Sequence, residues 1–258
     1  MSPHTGDTEK QWEWLEAKAY TGIIGGFDPP SHFAEAMADT LPIKAGETKL
    51  LDIGCGCGII GIYGLAKKHA KFVTFNDCLS EAIAVTFANV HWHIQQGNIE
   101  ESQVAGLKAD FANIPPDIVT QHNLITFNPP QLPWNWVNEE YRNKIESLPS
   151  QMSFRCGGDD GLDVVRHFLA WYRSLEGTKP PVLITLSSFI GKGLIETTIN
   201  GFGFKWHIFR EKKSVPLRKI LTKSADAFSV ADRNDRSLEK NDDGKWTKDL
   251  LIISLGDL

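Results

Sequence analysis

The run Leu51-Asp52-Ile53-Gly54-Cys55-Gly56-Cys57-Gly58 sets three glycines at alternate positions directly after a short apolar stretch. Glycine adopts left-handed backbone at little cost, so such a run turns the chain sharply and bares its main chain to a ligand. Helical character follows from Ile59, and the unpaired N–H groups of a helix start attract acceptor atoms. Asp77 stands at the expected end of the next strand, about 20 positions on, where a carboxylate accepts from both hydroxyls of a ribose. Asp52 adds a second carboxylate beside the turn. It would repel a pyrophosphate and attract a cationic amino group. Gly56-x-Gly58-x-x-Gly61 also fits the dinucleotide pattern GxGxxG. That pattern expects its first glycine at the strand end, and counting from Gly54 puts Ile59 at the third glycine position, so the register fails.

A second cluster lies at Leu124-Ile125-Thr126-Phe127-Asn128-Pro129-Pro130-Gln131. The apolar half reads as a strand beside the first one, and ligands of open α/β sheets bind outside the carboxyl ends of strands. Two prolines stiffen the backbone and remove N–H donors, leaving the carbonyl between them without a competing partner nearby. With the Asn128 amide oxygen, it suits a planar NH2 or another polar group whose lone pair must be aimed. Asn128, Pro129 and Gln131 are the candidate catalytic residues. Trp134 and Trp136 follow at alternate positions, as walls of an acceptor pocket, as faces for a cation, or as packing for the loop. Phe154 and Arg155 are candidates for the same pocket, Arg155 as partner of a carboxylate. His91-x-His93 falls at a helix end and reads as a surface pair, so no metal site is expected.

With these residues in view, Asp52-x-Gly54-x-Gly56-x-Gly58 and Asp77-x-x-Ser80-x-Ala82 resemble motifs I and II of class I S-adenosylmethionine (SAM)-dependent methyltransferases. The resemblance implies that Asp52, Gly54, Gly56 and Gly58 lie near the methionine part, that Asp77 holds the ribose, and that Asp110-Phe111 lines the adenine. Asn128 joins this cofactor set. Asn128-Pro129-Pro130 is similar to the N-P-P motif of amino- and amide-nitrogen methyltransferases. Gly157-Gly158-Asp159-Asp160-Gly161-Leu162-Asp163 and Phe27-Asp28-Pro29-Pro30-Ser31 resemble segments of the protein-(glutamine-N5) methyltransferases that act on release factors. Gln131, where that family has an aromatic, and a short N-terminal region point to a different, smaller acceptor. The resulting expectation is methyl transfer from SAM to a nitrogen or other heteroatom of a small-molecule or peptide acceptor. Two alternatives use the same residues: cyclisation of SAM itself with release of methylthioadenosine, and a SAM-binding regulatory protein without catalysis.

The elements that must position these groups read as alternating strands and helices from Lys49 onward, which argues a parallel sheet covered on both faces. The expected fold is a doubly wound, mostly parallel, seven-stranded Rossmann-like sheet with an antiparallel final hairpin. Residues 46–258 form the catalytic domain. Residues 1–45 form a helical cap with helices over Gln11–Tyr20 and His32–Thr40, in which Trp12, Trp14 and Tyr20 are candidates for a lid. Ser80 is expected to cap a helix running to Trp92. The charged connection Ser224 to Lys248 reads as a solvated excursion.

A net charge of −5 gives no broad basic footprint, so no nucleic-acid partner is expected. No apolar run reaches the length of a membrane span. Met1 to Lys10 lacks an apolar targeting core. Four cysteines without a pairing framework suit a reducing compartment, so a cytoplasmic protein is expected.

Overall fold

The computed structural model describes residues 36, 37, 39–41, 47–146 and 156–257. The expected cap over residues 1–45 therefore lies almost wholly outside the described residues, as do Phe154 and Arg155. The chain falls into two compact units, residues 1–127 and 128–258.

In the first unit, strand β1 (Lys49–Ile53) leads through the glycine turn into helix α1 (Ile59–Ala66). Strand β2 (Phe72–Asp77), helix α2 (Ser80–Gln95), strand β3 (Val104–Lys108), the short helix α3 (Pro116–Thr120) and strand β4 (Leu124–Phe127) follow. The four strands are parallel, in the order β3-β2-β1-β4. The order reverses at β1, which makes the carboxyl ends of β1 and β4 the topological switch point. Ile53 is paired with Phe127 there. Strands β1 and β4 are buried apart from Lys49 at the start of β1, which is why they read as apolar runs around a single buried polar residue, Asp52 and Thr126.

Helix α1 is buried along its first seven residues, and Gly61 is what lets it approach the sheet. A Cβ at Gly61 would stand 2.4 Å from Phe75 Cε1 and 2.7 Å from Val73 Cγ1. Helix α2 extends to Gln95, three residues past the expected end, and its cap differs from expectation. Leu79 is the N-cap residue, Ser80 is already helical, and Asp77 supplies the acceptor by taking the Leu79 N–H at 3.0 Å.

The second unit begins at Asn128. It contains helices α4 (Glu139–Glu146) and α5 (Asp163–Ser174), strand β5 (Val182–Ser187) and helix α6 (Lys192–Gly201). Strand β6 (Trp206–Pro216), helices α7 (Thr222–Ala227) and α8 (Val230–Asp235), the two-residue strand β7 (Glu239–Lys240) and strand β8 (Trp246–Leu255) complete it. Strand β8 lies between β5 and β6, antiparallel to both, and β7 pairs with β8 as a short addition to the seven expected strands. The antiparallel ending is thus as expected, and so is the alternating architecture of a Rossmann-like fold.

The connection after β6 differs from the solvated excursion its charge suggests. It folds as α7, α8 and β7, and Ala225, Leu238 and Trp246 are buried in a cluster with Leu132, Val137, Phe189, Leu217 and Leu221. The spacing Leu217, Leu221, Ala225 marks a buried stripe that the surrounding charges obscure.

Candidate functional site

All three glycines of the turn are left-handed: Gly54 at φ +64°, Gly56 at +57° and Gly58 at +81°. A side chain would be strained at each position, and at Gly58 it would also lie 2.8 Å from Thr86 Cγ2. The shape of the turn is fixed from α2. Thr86 Oγ1 donates to the Gly56 carbonyl at 2.8 Å and Asn89 Nδ2 to the Cys57 carbonyl at 2.9 Å. Gly54 stays exposed while the rest of the turn is buried. The bare main chain inferred from sequence is therefore confined to Gly54. Cys55 and Cys57 are buried free thiols, and desolvation holds Cys57 up at about 11.

Asp52 lies beneath this turn, 1% exposed. Its Oδ1 accepts the Thr126 hydroxyl at 2.8 Å and its Oδ2 the Gly61 N–H at 3.3 Å. Gly58, the N-cap residue of α1, has no side chain to offer, so Asp52 caps the helix in its place. Burial pushes the carboxyl up to about 7, against those two hydrogen bonds, and the charge of Asp77 adds to the rise.

Asp77 ends β2. Its Oδ2 accepts the Gly56 N–H at 3.1 Å, tying the second strand to the glycine turn, while Oδ1 accepts from Leu79. Burial raises its pKa against these backbone bonds. The Cys78 thiol and the Cys78 N–H add to the bonds that oppose this rise. Asp110 is exposed and caps the turn Phe111–Asn113 through the Ala112 N–H at 2.9 Å. Phe111 packs edge-on against Phe127 at 5.9 Å, and Phe127 also lies closest to Gly54. The structure thus brings Asp52, the glycine turn and Asp77 into one bonded assembly, with Phe111 linked through Phe127.

In the second unit, Asn128 is the residue that follows β4 in the chain. Its Oδ1 accepts the Thr185 hydroxyl of β5 at 2.6 Å, which fixes the amide plane and leaves a second lone pair on the oxygen. Gln131 is occupied by its own chain. Its Oε1 accepts the Ser187 N–H at 2.7 Å, and its Nε2 donates to the Thr185 carbonyl at 3.0 Å and toward the Pro129 carbonyl at 3.4 Å. The side-chain amide stands in for a peptide unit at the end of β5. The Pro129 carbonyl therefore has a nearby donor, contrary to the expectation from the two prolines.

The Gly157-Gly158-Asp159-Asp160-Gly161 loop lies directly on this turn. Gly157 N donates to the Leu132 carbonyl at 3.1 Å and Trp134 N to the Gly158 carbonyl at 2.9 Å. A Cβ at Gly157 would meet Gln131 Cα at 2.7 Å, and one at Gly161 the Gln131 carbonyl at 2.8 Å. The two motifs are halves of one packed structure. Trp136 stands in the aromatic cluster, edge-on to Phe189 and Phe228 at 5.7 Å each. Its face is covered by the Arg236 guanidinium, 4.1 Å from the ring centroid, and its carbonyl accepts from Ser224 Oγ at 2.7 Å. Arg236 also donates to the Phe189 and Ile190 carbonyls. Trp134 is half-buried against the same cluster.

Sequence reading missed Thr126 and Thr185, which hold Asp52 and Asn128. Both occur in the same context, Leu-Ile-Thr, at Leu124-Ile125-Thr126 and Leu183-Ile184-Thr185. A lone hydroxyl inside a buried strand requires a polar partner, and that is the signal that marks them. The expectation of a surface pair at His91 and His93 holds for His91 only. His91 is exposed and bonded to Gln95, whereas His93 is fully buried beside Trp92 on the inner face of α2, which extends past it. Among the described residues no group of three or more His, Cys, Asp or Glu is arranged to hold a metal, and no helix is long and apolar enough to cross a membrane.

Residues 27–132, which span the glycine turn, Asp77 and Asn128-Pro129-Pro130, match the family described as the methyltransferase small domain. Among solved structures, the YcgJ protein of Bacillus subtilis is similar over 87% of this chain and 97% of its own, at 12% identity and a TM-score of 0.51. A putative SAM-dependent methyltransferase of Streptococcus mutans is similar at 10% identity and a TM-score of 0.51, over 86% of this chain and 48% of its own. The putative methyltransferase SMU.776, solved with S-adenosylhomocysteine (SAH), gives 10% identity and a TM-score of 0.50 over the same shares. At these identities the likeness to solved structures is one of fold. No curated protein sequence matches the chain. The family match, the fold and the glycine turn together support a class I SAM-dependent methyltransferase.

Proposed function

We propose that this chain transfers a methyl group from SAM to a nitrogen of a small acceptor held at Asn128-Pro129-Pro130. The observation that carries the SAM reading is the glycine turn, left-handed at three alternate positions and bonded through the Gly56 N–H to Asp77. The residues fit the cofactor: an exposed Gly54 for close approach, a carboxyl at Asp77 at the end of β2 for the ribose, and a buried carboxyl at Asp52 beside the turn. Asp110 and Phe111 are assigned to the adenine. SAM, when bound, supplies a methyl on a positively charged sulfur.

The chain's part in the reaction is orientation. Thr185 holds the Asn128 amide, whose free lone pair accepts one N–H of the acceptor. The Pro129 carbonyl accepts a second, and Gln131 keeps that carbonyl in place from its bond to β5. Holding both hydrogens fixes the plane of the amino group and so the direction of its lone pair. Alignment of this kind contributes about 7–11 kcal/mol in favourable cases. Trp134, with Phe154 and Arg155, is assigned to the acceptor pocket. Trp136 belongs to its outer wall, since Arg236 covers its face. The cytoplasm is the expected setting.

The test is to incubate the purified protein with SAM, with and without candidate amines and amides, and to identify the sulfur product. SAH that accumulates only with an acceptor supports methyl transfer. Methylthioadenosine formed without acceptor overturns it in favour of cyclisation, and tight binding with neither product overturns it in favour of a sensor.

A further inference from the structure

We propose that β6 is a docking strand for single-stranded nucleic acid, independent of the methyl-transfer reading.

Among the described residues of the second unit, β6 pairs on one side only, with β8. Four consecutive residues, His207 to Arg210, are exposed, so both faces of the strand meet solvent. Ile208 at 45% and Phe209 at 39% are two of the three exposed large hydrophobic residues among those described. The pairing shifts register between Ile208 and Arg210, leaving Phe209 out of the ladder, and a bulge of this kind re-aims a side chain. The His207 and Phe209 rings lie side by side, with centroids 6.1 Å apart and planes tilted by 56°. Two aromatic faces on an exposed strand are the platform on which unpaired bases stack.

The charge around them has one sign. Residues 205–223 hold seven Lys or Arg against one acid, Glu211, a net +6 inside a chain of net −5. Glu211 is itself held by Lys192 at 3.0 Å and by Lys213 at 3.9 Å. Lys205, Lys213, Arg218, Lys219 and Lys223 are exposed. The overall charge hides this stretch, which is why composition alone argues against a nucleic-acid partner.

Other occupants fit less well. A second copy would bring the same positive strand to this edge and be repelled. Lysines on an edge strand commonly block aggregation, but that purpose is worked against by an exposed Ile208 and Phe209. A membrane surface calls for a broad apolar face, and this strand offers two apolar side chains. Stacking surfaces flanked by phosphate-binding lysines match a single strand.

The test uses the full chain and a fluorescein-labelled oligouridylate of about 12 nucleotides, followed by anisotropy between about 50 and 200 mM salt. Binding that weakens steeply with salt is expected. His207→Ala with Phe209→Ala should weaken it about tenfold or more at constant salt. Lys205→Glu with Lys213→Glu should lower the salt slope by about 2. All four positions are exposed, and unchanged melting curves would confirm that the variants fold. Absence of binding at the lowest salt, or binding indifferent to the aromatic pair, overturns the proposal. So does capture by phosphatidylglycerol vesicles that the same variants abolish. SAM binding, measured in parallel by calorimetry, separates the two readings. A chain that binds SAM but no oligonucleotide loses only the docking strand. One that binds the oligonucleotide but not SAM keeps the docking strand and loses the methyl-transfer reading.

Discussion

Replacing Asp52 by asparagine should stabilise the ligand-free protein above neutral pH and leave it nearly unchanged in acid. In the folded chain the Asp52 carboxyl ionises near 7, against a reference value of 3.8. The folded state therefore keeps a proton that the unfolded state has lost throughout that interval. The unfolded form binds fewer protons, so stability falls as pH rises from about 4 to about 7 and is flat above. A window from 3.8 to about 7 corresponds to roughly 4 kcal/mol at about 1.36 kcal/mol per pH unit. The amide introduced by Asp52→Asn has no charge to desolvate. Its oxygen can accept the Gly61 N–H and its NH2 can donate to Thr126, so both native bonds survive. The difference in stability between variant and parent should grow by up to about 4 kcal/mol across the window, roughly 10 °C in Tm at about 2–4 °C per kcal/mol. Thermal melts from about pH 4 to pH 8 measure it. Asp77 shifts in the same direction and Asp160 in the other, so the difference between the two proteins, rather than either curve alone, isolates Asp52. Parallel curves, or a variant less stable than the parent at pH 8, would refute the account of Asp52 as a buried carboxylate lacking compensation. If a cationic ligand supplies the compensation, SAM binding near pH 7 should also release a fraction of a proton, detectable by calorimetry in buffers of different ionisation enthalpy.

Asp77→Ala should weaken SAM binding about tenfold or more, because it removes the diol acceptor and frees the Gly56 N–H; unchanged affinity by calorimetry would remove Asp77 from the ribose site. Asn128→Ala should lower the rate of SAH formation while leaving SAM affinity within a few-fold, and full turnover would make the turn a purely structural feature. Gln131→Leu should cost about 1–3 kcal/mol in stability by stranding the Ser187 N–H and the Thr185 carbonyl. A denaturation midpoint equal to that of the parent would mean that water takes over both groups.

The parts of the fold legible in the sequence are those where one local rule decides the outcome. Alternating glycines after Leu50 to Ile53 announce a turn because only that residue tolerates the backbone they adopt, and the apolar runs of β1, β4, β5 and β8 announce buried strands because both their faces are covered. What stayed hidden is decided by partners distant in sequence. Leu79 caps α2 although Ser80 is the better local capper, because Asp77 already sits against that N–H. Gln131 looks like a departure in a catalytic motif until β5 is beside it. The charged segment after β6 conceals α7 and α8 because α7 buries only Ala225 and α8 buries no residue, so polar positions dominate both short helices. The glycines, Asp52, Asp77 and Asn128 were singled out as candidates from spacing. The threonines that orient two of them were not, since a hydroxyl in a strand has meaning only once its partner is known.

Arg236 has a consequence for how selectivity could be altered. Its guanidinium covers Trp136 on one side and Phe228 on another, at 4.1 and 4.5 Å, while its Nη1 donates to two carbonyls beyond β5. Turning the indole would uncover a cation that has already given up its water, so the loop behind Asn128-Pro129-Pro130 inherits the stiffness of a helix about a hundred positions further along the chain. A wider or differently shaped cavity for the reactant would therefore be sought first at Arg236 and Phe228, where loosening one clasp releases the loop, and only afterwards among the residues that touch the reactant.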